Sequence, residues 1–429
     1  MKIFKYLFPV MLVATLTLVS DARITGAFFQ LNAGNTNKPR SYWQTELDLM
    51  QKAGMDTIIV QYSVTDTASF HNNNYETAYK FMGSFEPGTY DIVIAKGPIV
   101  VYEIETLAPF SYELKGALPS PIFGDDGHKL SDGIVKDLNS AVVWTDTDEP
   151  IIISVTLDQP AENLAIYVDT VTPSSRLPGI EDISLNGATP VLERIGDYVY
   201  LLEEAQKRDM KVWLGLQLSD SWWSGKLDLN KDCQENLELA RELIELYGHY
   251  ESFYGFYIPH ELYPSSSVLP QNYMNFFRDL TIGLQEMGKP VSIAPYFGGN
   301  MMPKSHGKYW AAFFEQVPLD VLMLQDGVGC HRLPLEQIPR YYEEVYKVCK
   351  EYGVEFWSDL EVFNQLPGEG FSAEPADFER VQRQVITQTP TVDKIVIFDW
   401  PHYMSPNRNA KAKALYDAYV AWIESEPQL

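Results

Sequence analysis

Two glutamates stand where reactive carboxyls would be useful. Glu261 follows the apolar run FYIPH, and Glu361 lies within WSDLEVF. Both runs are short, aromatic and β-branched, which reads as buried strand. Two carboxyl groups delivered from two strand ends can divide one task. One stays protonated and assists a leaving oxygen, and the other acts as nucleophile or base, which is the requirement for breaking a glycosidic bond. Polar and aromatic side chains at the same ends suit a sugar: Gln30, Gln61, Gln217, Trp222, Trp223, His260, Tyr296, Asp326, Asp359, Asp399 and Trp400. Amides and carboxylates read hydroxyls, while ring faces cover sugar C–H surfaces. Core packing accounts better for Trp213, Tyr257 and Trp357. Trp222 and Trp223 are adjacent in a polar loop, so at least one is expected to face the cleft. Asp326, beside Gly327 and Gly329, suits a turn as well as a catalytic carboxyl. His260, His331 and His402 form no local metal-ligand spacing.

These groups need a frame. Strands are predicted over 24–32, 57–64, 211–219, 254–264, 290–299, 320–329, 354–363 and 394–403. Helices are predicted over 41–54, 191–210, 231–250, 270–288, 307–317, 335–353, 374–388 and 409–426. Short apolar strands alternating with amphipathic helices imply a parallel sheet buried on both faces. Eight such units imply an α/β chain folded as a (β/α)8 TIM barrel, with catalytic groups at the C-terminal strand ends. An open doubly wound sheet is the rival, but no glycine-rich phosphate loop follows the first strand.

One connection is too long. The second strand ends near Val64 and its helix is expected only near Val191. Between about 75 and 172 lie seven short strand-like runs separated by Gly, Pro, Asp and Asn. This spacing predicts an inserted all-β sandwich. The expected division is a signal peptide at 1–22, barrel at 23–74 and 173–429, and sandwich at 75–172. The segment SPIFGDDGHKLSDGIV (120–135) resembles a loop of galactose-binding-like sandwiches, and that resemblance implies a structural calcium on Asp125, Asp126 and Asp132. An acidic surface turn is the plainer reading.

The N-terminus has Lys2 and Lys5, an apolar run over 7–19 and small residues at Ser20 and Ala22. It reads as a cleaved secretory signal, so a secreted or periplasmic protein without membrane attachment is expected. Acidic residues outnumber basic ones 58 to 33, which argues against binding a phosphate backbone and hence against nucleic acid. Three cysteines are too few for a disulfide framework. No cofactor is expected for catalysis.

Five stretches carry a closer resemblance: GAFFQLN (26–32), DTIIVQYSV (56–64), KVWLGLQLSDSWW (211–223), GFYIPHEL (255–262) and LMLQDGVG (322–329). They resemble a family of bacterial secreted barrel proteins catalogued as a domain of unknown function and regarded as glycosidase-like. SRLPG (175–179) resembles the point where that pattern resumes after the insert. Glutamates on strands four and seven also resemble the clan of retaining barrel glycosidases. That resemblance implies Glu261 as acid/base and Glu361 as nucleophile, although His260 stands where the clan has Asn. The expected function is a secreted, retaining glycoside hydrolase acting on a carbohydrate. The alternatives are a non-catalytic carbohydrate-binding barrel and a metal-dependent hydrolase of a decorated glycan.

Overall fold

The computed structural model describes residues 22–30, 40–66, 76–95, 99–106, 109–116, 142–144, 149–169, 180–195, 198–264, 269–297, 299–368 and 370–425. The apolar runs of the sequence become eight parallel strands closed into a barrel. They are β1 (Gly26–Phe29), β2 (Thr57–Val60), β3 (Lys211–Gly215), β4 (Phe253–Ile258), β5 (Val291–Ile293), β6 (Val321–Gln325), β7 (Glu355–Glu361) and β8 (Lys394–Phe398). β8 pairs back onto β1 through Gly26↔Val396 and Ala27↔Ile397, which leaves no open edge. The helices are α1 (Arg40–Lys52), α2 (Val199–Lys207), α3 (Leu229–Tyr247), α4 (Gln271–Gln285), α5 (Pro303–Phe314), α6 (Ile338–Tyr352), α7 (Phe378–Gln388) and α8 (Ala410–Ser425). Among the described residues, no helix is long and apolar enough to cross a membrane.

Strand side chains alternate between two faces, so each barrel strand feeds two cores. One set of residues points inward: Phe28, Ile59, Trp213, Tyr257, Ala294, Met323, Trp357 and Val396 pack together inside the barrel. The other set, including Ile58, Leu214, Phe256, Leu322, Leu324 and Leu360, packs against the helices in the larger cluster. Trp213 fills the interior because β4 yields space. A Cβ at Gly255 would lie 2.5 Å from the Trp213 ring.

The long connection after β2 contains two antiparallel sheets. The five-stranded sheet runs in the order 191–195, 76–85, 161–169, 99–105, 142–144. The four-stranded sheet runs 183–185, 88–94, 151–157, 110–116. Ile151, Ile153, Val155 and Leu157 of one sheet and Tyr79, Leu164, Ile166 and Val168 of the other join one buried cluster. All seven strand-like runs of the sequence take part. Two further strands, Ile183–Leu185 and Val191–Ile195, extend the sheets past the expected limit of 172. Residues 191–195 were expected to begin a helix. Instead their backbone pairs with 76–80, Val191 opposite Lys80 and Ile195 opposite Glu76. An available sheet edge outweighs helical periodicity in so short a stretch. Where the chain re-enters the barrel, the Tyr198 hydroxyl donates to Ser63 Oγ at 3.0 Å, and Ser63 Oγ donates to the Gly215 carbonyl.

Candidate active site

The alternation that fills the barrel also selects what reaches its mouth. Continuing the inward set two residues at a time gives Gln30 after Phe28, Gln61 after Ile59, Tyr296 after Ala294, Gln325 after Met323, Glu361 after Trp357 and Asp359, and Phe398 after Val396. Glu261 stands four residues beyond Tyr257 in the same phase. Apart from Asp359, these residues line one cavity of about 510 Å³ at the C-terminal ends of the strands. Trp223, Cys330, Arg332, Phe363, Gln365 and Phe371 from the connecting loops complete its wall.

Glu261 and Glu361 reach this cavity from different surroundings. Glu261 keeps partial exposure in the cleft. Burial pushes its pKa up to about 7, with only a hydrogen bond to Gln325 opposing. Its backbone is fixed from behind. The Trp222 indole N–H donates to the Glu261 carbonyl at 3.1 Å, and the His260 ring meets Trp222 edge-on at 4.9 Å. His260 Nε2 lies 3.0 Å from Asp232 Oδ2, which also accepts from Asn236 Nδ2 at 2.9 Å.

Glu361 is 2% exposed and sits among other acids. Burial first, and then the Asp326 carboxylate, push its pKa up to about 8. The Cys330 N–H donates to Glu361 Oε2 at 2.7 Å, and the Cys330 thiol also bonds to this carboxyl. Only a glycine allows that approach. A Cβ at Gly329 would lie 2.3 Å from the Phe363 carbonyl and 3.0 Å from Glu361 Oε2. Asp359, one inward step below Glu361, is held well above the usual carboxylate range by burial and by Glu361, Asp326, Glu261 and Asp399. It lies at the floor of the site.

Several residues expected to touch a sugar lie elsewhere. Asp326 has the outward phase of β6 and is fully buried. It accepts from Gln384 Nε2 at 2.6 Å, Gln388 Nε2 at 2.8 Å and Val328 N–H at 3.0 Å, so it braces the Glu361 strand against α7. His260 also has the outward phase and faces α3 and α4. Trp222 is 8% exposed among Tyr273, Phe276 and Phe277, whereas Trp223 is 58% exposed and lines the cavity. Trp400 is fully buried and donates to Glu46 Oε2 at 2.6 Å. Asp399 is buried, 2.7 Å from His402 Nδ1, and takes a backbone hydrogen bond from Gln30. Asp359 is buried below the cavity. Gln217 has the inward phase, but its strand Gln217–Leu218 pairs with Val64–Thr65 outside the barrel ring, and it does not line the cavity. Asp125, Asp126 and Asp132 lie outside the described residues.

The sequence reading placed Gln325 at the end of the sixth strand but assigned the site role to Asp326, and it omitted Cys330, Arg332, Phe363, Gln365, Phe371 and Phe398. Gln325 and Phe398 were recoverable by counting in twos from the inward apolar residues. The loop residues carry no such phase.

No curated protein sequence matches the chain. Among solved structures, a "putative alpha-L-fucosidase" from Bacteroides thetaiotaomicron is similar at 18% identity, over 98% of this chain and 100% of its own, with a TM-score of 0.58. That likeness extends over the inserted sheets as well as the barrel, and it shows a shared fold. An endo-1,4-beta-D-mannanase from Thermotoga petrophila matches at 12% identity, over 53% of this chain and 79% of its own, with a TM-score of 0.37. A GH99 endo-alpha-mannosidase from Bacteroides thetaiotaomicron matches at 13%, over 54% and 70%, with a TM-score of 0.35. These neighbours are glycoside hydrolases by description. One family pattern matches residues 189–410, from the last inserted strand to the start of α8 and so including both glutamates. That match spans just over half of the sequence, and the chain belongs to the family described as a domain of unknown function, DUF4434.

Proposed function

We propose that the protein is a retaining glycoside hydrolase. The observation that carries this reading is the pair Glu261 and Glu361, which line one cavity with pKa values raised to about 7 and about 8. Near neutral pH the pair holds at least one proton, as an acid-plus-carboxylate division requires. In the first step the Glu361 carboxylate attacks the anomeric carbon while Glu261 gives its proton to the departing glycosidic oxygen. In the second, Glu261 takes a proton from water, the hydroxide oxygen bonds to the anomeric carbon, and Glu361 leaves as carboxylate. Donation from the Cys330 N–H favours the charged form of Glu361.

The proximity of Asp326 favours the opposite assignment, with Glu361 as the acid, because a like charge disfavours ionisation. Azide distinguishes the two. With Glu361→Gly as the nucleophile variant, azide rescues turnover of an activated aryl glycoside and gives a glycosyl azide of inverted configuration. With Glu261→Ala as the acid/base variant, the azide product keeps the substrate's configuration. Exchange of these outcomes reverses the roles. Absence of turnover by the wild type across a broad glycan panel leaves the carbohydrate-binding and metal-dependent alternatives.

The inserted sheets, read from sequence as galactose-binding-like, belong to this proposal as a glycan-holding element, because they leave the barrel from a βα connection on the active-site side. Their removal should then reduce turnover of a polymeric glycan more than that of an aryl glycoside. Equal activities on both would remove this role.

A further inference from the structure

Among the described residues the cavity wall contains two glutamates, four glutamines, several aromatic rings and a single cation, Arg332. Its guanidinium is exposed and makes no hydrogen bond or ion pair among the described residues. Its charge is felt by two neighbours on the same wall, Tyr296 and Cys330. Arg40 and Arg208 meet Glu204, and Arg383 meets Glu336, whereas the exposed Arg241, Arg340 and Arg408 show no ion pair among the described residues; Arg332 differs from those three in lining this cavity. In a chain where acidic residues outnumber basic ones 58 to 33, leaving a guanidinium without a carboxylate beside an acidic site is unexpected.

The loop that presents Arg332 is built with care. Gly327 and His331 both have left-handed backbone, with φ of 67° and 57°, which is uncommon for a residue that bears a side chain. The N–H groups of Arg332 and Leu333 both donate to the Gly327 carbonyl, at 2.8 and 3.1 Å. The His331 ring nitrogen lies 3.2 Å from the Gln365 carbonyl, and the Gln365 N–H donates to the Gly329 carbonyl at 2.9 Å. The turn that sets the Cys330 N–H on Glu361 therefore also fixes the backbone of Arg332 at the cavity. A fixed backbone removes the loop's share of the ordering cost on binding and leaves only the cost of the Arg332 side chain itself. Guanidinium donors match the oxygens of a carboxylate or sulfate in pairs, a geometry that a sugar hydroxyl does not use.

We propose that the sugar bound in this cavity carries an oxyanion, as a uronate carboxylate or a sulfate ester, and that Arg332 recognises it. This rests on the glycosidase reading of the same cavity and adds its substrate class. Neutral Gln30, Gln61 and Gln325 remain to read hydroxyls. The net negative charge of the protein would repel such a substrate at long range, so selection must come from close pairing inside the cavity.

The test uses the full-length protein and matched probes: aryl glucosides and galactosides, their uronides and their 6-sulfates, in both anomers. Binding is measured by calorimetry on Glu361→Gln, and turnover on the wild type. An acidic probe should bind at least tenfold more tightly than its neutral counterpart. Arg332→Ala should collapse that ratio by about 10- to 100-fold, the range for losing a charge-assisted hydrogen-bonded pair, and Arg332→Lys should restore part of it. Preference for uronide or for sulfate identifies the source of the oxyanion. Neutral probes binding as well as acidic ones, or Arg332→Ala weakening both classes equally, overturns the inference. Arg332-dependent binding of an acidic sugar without turnover of any probe would support it while sinking the hydrolase reading. Turnover of neutral glycosides with no preference would do the reverse.

Discussion

The two sides of the cleft reach raised carboxyl pKa values by different means. On the Glu261 side loss of water does nearly all the work, opposed by a hydrogen bond to Gln325. Its buried histidine and aspartate, His260 and Asp232, pair behind the strand. On the Glu361 side, burial is joined by a second carboxylate, Asp326, and answered by Cys330 and Arg380. A group tuned by desolvation keeps its pKa only while the cavity stays dry. A group tuned by neighbouring charge can be retuned by a single substitution. Solvent entry should thus affect the first more than the second.

The largest expected contrast is in stability. A carboxyl whose folded pKa exceeds its unfolded value binds extra protons when folded. Its contribution is greatest below the unfolded pKa and is lost as pH rises through the folded one. For Glu361 that window runs from the ordinary carboxyl value of 4.5 to about 8. Glu361→Gln removes the penalty, so the variant should gain up to a few kcal/mol over wild type at pH 8, relative to the difference at pH 4.5. Denaturant melts at both values check this, and equal differences at the two pH values contradict the burial of a neutral acid.

Next comes the source of the shift. Asp326→Asn removes the like charge, so the Glu361-dependent limb of the pH–rate profile should move about one unit or more to lower pH. A matched change behind Glu261, His260→Gln, should leave the Glu261 limb in place while lowering stability. If both limbs move together, the two sides are one coupled system and the comparison fails.

The smallest effect concerns the neighbouring indoles. Trp223 is exposed at the cavity and Trp222 is packed under α4. Trp223→Ala should raise KM about 3- to 10-fold with kcat little changed, the scale of one lost stacking contact. Trp222→Phe keeps the packing but removes the N–H on the Glu261 carbonyl, so it should lower kcat more than it raises KM. The reverse pattern would exchange the assigned positions of the two rings.

The barrel was legible because its strands are short apolar runs and its helices amphipathic, and nothing local contradicts either. The site was half legible. Glu261, Glu361, Gln30, Gln61, Tyr296 and Trp223 were named from strand ends and line the cavity. Asp326, His260, Asp359 and Trp400 were named for the same reason and do not. Neighbours on a strand face opposite ways, so a strand end alone cannot say which of two adjacent polar residues enters the cleft. The inward apolar series could have separated Gln325 from Asp326, and Glu261 from His260. Arg332 and Phe371 were beyond reach, because the loops that carry them take their course from contacts made only after the barrel closes. The strand at 191–195 was hidden because its partner lies more than a hundred residues earlier.

The hydrogen bond between Tyr198 and Ser63 ties together the two ends of the inserted sheets. β2 and β3 are adjacent in the ring, Thr57 beside Lys211, yet the whole insert separates them along the chain. Closing a loop of that span costs more entropy than joining any other two consecutive strands, and only the β8–β1 pair, Gly26 beside Val396, lies farther apart in the chain, though each doubling adds only about 0.6 kcal/mol. Contacts distant in sequence form late, so this seam is expected to shut, like the β8–β1 closure, after β3 to β8 have paired in chain order. Pulse-labelled hydrogen exchange during refolding would detect the delay as late protection of the Ser63 and Lys211 amides. In folding terms the insert then acts as a clasp, delaying the moment at which the barrel becomes whole.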